Sequence, residues 1–199
     1  MHLFTLLFLG MLLLSVAIEL WLLQRQLGHV AARRNEVPDA FAERISLSAH
    51  QRAADYTLSK ARLARYEILY GALILLGLTL GGGLQWFDQL WRSLQLTPLL
   101  GGTGFILSVV LVTSLLDLPF ALYRTFRIEQ RFGFNRTTLK LFFSDMLKQG
   151  LLMLLLGVPL IALVLWLMQS AGQWWWLYVW LVWSGFTLLM LWAYPAVIA

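Results

Sequence analysis

Residues 117–135 read DLPFALYRTFRIEQRFGFN, a stretch where a long apolar run ends and a dense polar segment begins. Pro119 lacks a backbone donor, so it predicts a kink near the end of a helix that re-aims the turns after it. Arg124, Arg127, Glu129 and Arg131 read as a charged helical segment. Gly133 offers a left-handed stop, and Asn135 can cap the periodic run LKLFFSDMLK that follows. The stretch therefore predicts helix, glycine stop, asparagine cap, helix, a shaped turn between two long helices at a membrane surface.

The flanking sequence sets the class. With 60% hydrophobic residues, 13% charged residues and a mean hydropathy of +0.73, the chain is too apolar for an ordinary soluble domain. A helix rises about 1.5 Å per residue and needs roughly 20 residues to cross a hydrocarbon core. Five runs qualify, at about 3–23, 66–86, 99–123, 150–168 and 174–194, with Gly81 to Gly83 either loosening the far end of the second into a loop or permitting close helix approach. The expected fold is all-α: a polytopic bundle of five transmembrane helices forming a single membrane domain over 1–199. The first run has a charge-free start and exceeds a signal-peptide core, so it reads as an uncleaved span.

Basic residues orient the bundle. Residues 24–65 carry eight Lys or Arg and residues 124–149 carry six, whereas 87–98 carries only Arg92 and 169–173 none. Cytoplasmic loops collect such residues, so both rich loops are expected inside, with the N-terminus outside and the C-terminus cytoplasmic. The formal charge of +5 is explained by these loops, and no nucleic-acid partner is expected. Trp86, Trp91, Trp174, Trp175 and Trp176 fall at the predicted outer interface, where indoles settle. The first basic loop is too long for a simple connection. Pro38, Asp39 and Glu43 read as a helix start, followed by an imperfect stripe through Phe41, Ile45, Leu47, Ala49, Ala53, Tyr56 and Leu58 that continues through DYTLSKARLARYE to the second span.

Few groups can carry chemistry. There is no cysteine, and His2, His29 and His50 form no ligand pair at workable spacing; HExxH, GxSxG, P-loop and GxGxxG motifs are all missing. Ionisable residues inside spans are costly and raise a functional question by default. Glu19 and Asp117 qualify, at similar depth near the inner ends of the first and third spans. Either they face one cavity, or each pairs with a nearby arginine such as Arg25 or Arg124.

At LPFALYRTFRIEQRFGFNRTT the chain also resembles the N-terminal five-helix membrane domain of the type I CAAX prenyl protease family, integral-membrane zinc metallopeptidases. RNEVPDAFAERI followed by KARLARY, with Asp55, Tyr56 and Thr57, is similar to that family's first cytoplasmic loop, and AYPAVIA at 193–199 to the segment leading into its peptidase half. In the family the zinc-binding HExxH helix lies C-terminal to this domain, so the resemblance transfers no zinc ligand and no catalytic residue to this chain. It implies a membrane half cut from a larger protease. Zinc is expected in the full-length parent, where it polarises the scissile carbonyl and activates water. The implied partners are the lipid bilayer, a C-terminal peptidase domain of the same parent chain, and a peptide or membrane-protein substrate. Glu129, Arg131 and Asn135 become candidates for contacts with substrate or with that domain. Short loops and abundant Leu and Trp suggest a bacterial cytoplasmic membrane. Two other readings stay open: a small transporter or channel using Glu19 and Asp117, and a scaffold whose basic loops bind lipid or a partner.

Overall fold

A computed structural model describes residues 3–41 and 43–193; most of AYPAVIA, together with His2, lies outside the described residues. Those residues hold helices and turns and no strand. In chain order the helices are α1 (Leu3–Ala32), α2 (Leu47–Thr79), α3 (Gly83–Ser93), α4 (Pro98–Tyr123), α5 (Gln130–Phe132), α6 (Leu139–Ser170) and α7 (Trp175–Ala193). A π-helical turn, Arg124–Glu129, joins α4 to α5, and short 3-10 turns lie at Asp39–Phe41 and Gly172–Trp174.

By length and composition, α1, the continuous run Pro98–Phe132, α6 and the run Gly172–Ala193 can each cross a membrane, and α2 with α3 makes a fifth span if counted as one broken helix. Large apolar side chains along these segments are exposed, among them Leu13, Leu111, Leu155 and Leu188. In water such a surface would cost about 25 cal/mol per Å2, whereas lipid removes that cost. The chain is an integral, multi-pass membrane protein.

Several boundaries differ from the sequence reading. The helix start expected at Pro38 is only a 3-10 turn, and α2 begins later, where the Ser46 hydroxyl accepts the Ala49 amide at 3.3 Å. Ser46 provides the side-chain acceptor that an N-cap requires, which Pro38 cannot. After residues 80–82 the chain does not fray into a loop; it breaks and re-enters a helix, α3. Pro119 lies inside α4, and the departure from α geometry comes only at Arg124, as the π turn. A π turn inserts one extra residue per turn and so rotates every later side chain around the axis.

The residues fall into two compact units. The first comprises 1–83 and 113–138. Its core is Leu63, Ile128 and Phe132, with Tyr56 and Phe120 packed against them. α1 and α2 lie side by side, tied by Arg34 to Asp55 and by Arg65 to Gln24 at 2.7 Å. The second unit comprises 84–112 and 139–199. There the Trp91 indole donates to Ser108 Oγ at 3.1 Å and lies against Gly104, while α6 pairs with α7.

Candidate functional site

The site is built in the first unit, where the end of α4, the π turn and α5 meet α2. On α2, Ser59, Arg62, Leu63 and Tyr66 recur at helical spacing and share one face. Opposite them stand Pro119, Phe120, Tyr123, Arg127, Ile128, Arg131 and Phe132. Together they line an open cleft of about 900 Å3. Leu63, Ile128 and Phe132 are its buried floor; Arg62, Tyr66, Tyr123, Arg127 and Arg131 are exposed at its rim.

The turn at 133–135 holds this wall in place. Gly133 adopts φ +80°, and its amide reaches the Gln130 carbonyl at 3.2 Å while the Phe134 amide reaches the Glu129 carbonyl at 2.9 Å. This is a Schellman closure, and it needs a residue that enters the left-handed region without strain. It directs Phe134 back onto α2, where the Tyr56 ring meets Phe132 edge-on at 5.4 Å and Phe134 at 4.9 Å. Lys60 caps the same tyrosine, its Nζ 5.2 Å from the ring centre. Tyr56 is the residue sequence reasoning undervalued: its helical spacing to Ser59, Leu63 and Tyr66 was a usable signal, but its partners lie more than seventy residues away.

Asp55, beside Tyr56, is committed to Arg34. The guanidinium binds it through two bonds, Nε to Oδ1 at 2.7 Å and Nη2 to Oδ2 at 2.9 Å. Those hydrogen bonds, with the nearby charges of Arg131 and Arg62, hold its carboxyl below the usual carboxylate range, and they hold Arg34 above its usual value.

Of the sequence candidates, Arg131 lies on the cleft rim. Glu129 is half-buried and serves the closure through its carbonyl. Asn135 does not cap α6 directly; its Oδ1 accepts the Thr137 amide at 2.7 Å, a local turn ahead of a helix that starts at Leu139. Neither Glu19 nor Asp117 forms an ion pair with Arg25 or Arg124 among the described residues. Glu19 is exposed and accepts from Ser15 Oγ at 3.0 Å, while Arg25 stacks 4.9 Å over Trp21. Arg124 pairs with Glu67 at 2.6 Å, and Asp117 lies exposed in the small cleft those two residues share with Tyr70. Among the described residues, no three His, Asp or Glu side chains come together in a way that could hold a metal ion.

Comparison with known proteins completes the description. The family described as CAAX prenyl protease N-terminal, five membrane helices, matches residues 26–199. A CAAX prenyl protease 1 homolog of Arabidopsis thaliana is 29% identical over 197 residues, covering 96% of this chain and 46% of that protein. The human homolog of the same name is 29% identical over 189 residues, covering 86% of this chain and 38% of its own length. The crystal structure of S. mikatae Ste24p superposes with a TM-score of 0.86 at 20% identity, covering all of this chain and 47% of that one. The chain thus spans less than half the length of the relatives it matches.

Proposed function

Because the chain belongs to the CAAX prenyl protease N-terminal family of five-helix membrane domains, we propose that it is the membrane module of a zinc-dependent metalloendopeptidase similar to those proteases. In this reading its helices form walls of an intramembrane chamber, and the cleft edge frames substrate for a catalytic half. The carrying observation is the cleft itself: the family-like stretch 117–135 folds back through Gly133 and Phe134 onto Tyr56 and makes a shaped, basic rim. Zinc does not fit the described residues, so no chemical step is assigned to them. The Lys and Arg distribution supports a cytoplasmic placement of the rim and of the C-terminus, in a membrane that the short loops suggest is bacterial. The substrate is a peptide or a membrane protein.

The test uses the full-length protein. Turnover of a peptide substrate should be abolished by a zinc chelator and restored by zinc; full turnover in the zinc-free preparation, or none in the zinc-loaded one, would end this reading. Asn135→Ala should lower turnover by up to about tenfold with zinc content unchanged, the equivalent of one lost hydrogen bond of about 0.5–1.5 kcal/mol. Unchanged turnover removes Asn135 from the substrate-framing edge. Asn135→Asp keeps the acceptor for the Thr137 amide and separates the turn from any contact made by the side-chain NH2.

A further inference from the structure

The basic cleft of the first unit carries more positive charge than nearby acids balance: Asp55 feels Arg62 and Arg131 but is bonded to Arg34. Arg62, Arg127 and Arg131 all line it, and among its lining residues there is no carboxylate. Of the neighbouring acids, Asp55 holds Arg34 through two bonds and Glu67 holds Arg124, while Glu129, half-buried between Arg127 and Arg131, is ion-paired with neither of them. Among the described residues none of the three rim guanidiniums makes an ion pair. Guanidinium forks match the oxygens of a phosphate, and charge-assisted bonds of this kind are the strong class of hydrogen bond.

The surroundings select the source of that phosphate. Arg62 stands one turn before Tyr66, at the start of the second predicted span, and Arg127 one turn after Tyr123, at the end of the third. Tyr66 and Tyr123 are 65% and 53% exposed, and tyrosines at the ends of spans settle at the headgroup level. Below the guanidiniums the floor is apolar, with Leu63, Phe120 and Ile128 continuing toward the span. A cation cluster at headgroup depth above an apolar floor fits an amphiphile with an anionic head. We propose that this cleft binds the phosphate headgroup of an anionic phospholipid of the inner leaflet, its acyl chains lying along the exposed apolar face next to Pro119 and Tyr66. The volume, about 900 Å3, accommodates a headgroup and the first carbons of its chains. The cleft's charge and apolar floor carry this assignment; under the proposed function the lipid occupies the cleft interior and leaves its edge to substrate.

The experiment is native mass spectrometry of the full-length protein, delipidated in detergent and titrated with phosphatidylglycerol or phosphatidylcholine. The wild type should retain one phosphatidylglycerol in preference to phosphatidylcholine. Each arginine near an anionic surface contributes about a fivefold effect, so R62Q/R127Q/R131Q should lose the preference, while R25Q/R33Q/R44Q, with the same charge loss outside the cleft, should keep it. All three rim arginines are exposed, so glutamine removes no core packing. If the triple variant does not purify, R127Q alone should weaken retention about fivefold. Equal retention of the two lipids by the wild type, an unchanged preference in the rim variants, or an equal loss in both triple variants overturns the assignment. Inorganic phosphate should fail to displace the lipid at millimolar concentration; displacement would show a simple oxyanion site and overturn the lipid as its occupant.

Discussion

Replacing Gly133 by alanine isolates the device that turns the wall of the cleft. Gly133 sits at φ +80°, and a Cβ built there meets no atom within 4 Å. The cost is therefore purely conformational. An L-residue in the left-handed region loses about 1–2 kcal/mol, and the reduced freedom of alanine in the unfolded chain offsets about 0.4–1 kcal/mol of that. The net destabilisation is about 1 kcal/mol, roughly 2–4 °C in melting temperature for a chain of this size. Asparagine enters the left-handed region more readily, so Gly133→Asn should recover part of the loss. The assay is thermal unfolding of the detergent-solubilised protein with all three forms side by side. The local signature is protection of the Phe134 and Asn135 amides, both bonded to the Glu129 carbonyl, which should exchange faster in the alanine variant. Melting at or above wild type for Gly133→Ala, or a larger loss for asparagine than for alanine, would refute the reasoning.

Two further expectations follow from the same geometry. At Gly104 the backbone is ordinary but the space is filled: a Cβ would run into the Trp91 ring, which is anchored by its bond to Ser108. Gly104→Ala should thus cost about 1–3 kcal/mol by overpacking; the smaller ring of Trp91→Phe should relieve it in the double variant, and a Gly104→Ala protein that melts like wild type would contradict the contact. Asp55 supplies a pH dependence. Its carboxyl is held below the usual carboxylate range by Arg34, so its contribution is complete above the unfolded value near 3.9 and is lost as pH falls through the lower folded value. The stability gap between wild type and Asp55→Asn should be constant from pH 7 to about 5 and begin to close only as pH falls below the unfolded value near 3.9; a gap that closes above pH 5, or that widens on acidification, would remove the ion pair as its cause.

Much of the candidate site was legible in the order of residues, and the illegible part has a common cause. Gly133 announced a stop because left-handed backbone is a property of one residue, and it is found at φ +80°. The Asn135 cap was only half legible: a side-chain acceptor near an amide was correct, but whether it serves a turn at Thr137 or the first turn of α6 depends on where the helix begins. The helix start at Ser46 rather than Pro38 is a similar case, with two local signals competing and the side-chain acceptor prevailing. The arginine partners of Glu19 and Asp117 could not be chosen from spacing, because each guanidinium had an alternative: the Trp21 ring for Arg25, and Glu67 for Arg124, fifty-seven positions away.

By itself the sequence determined the all-helical membrane character, the family to which the chain belongs and the glycine-stopped turn after the charged segment. These are sums over neighbouring residues: hydropathy over about twenty positions, backbone preference at one, a motif within a short span. Only the tertiary structure decided that Tyr56 stands between Phe132 and Phe134, that Asp55 is spoken for by Arg34, and that Arg62 shares a cleft with Arg127 and Arg131. Those pairings depend on how far each helix is rotated about its axis, and the π turn at Arg124–Glu129 resets that rotation by one residue. Local preference is blind to such a shift, and packing against a distant helix is what selects it.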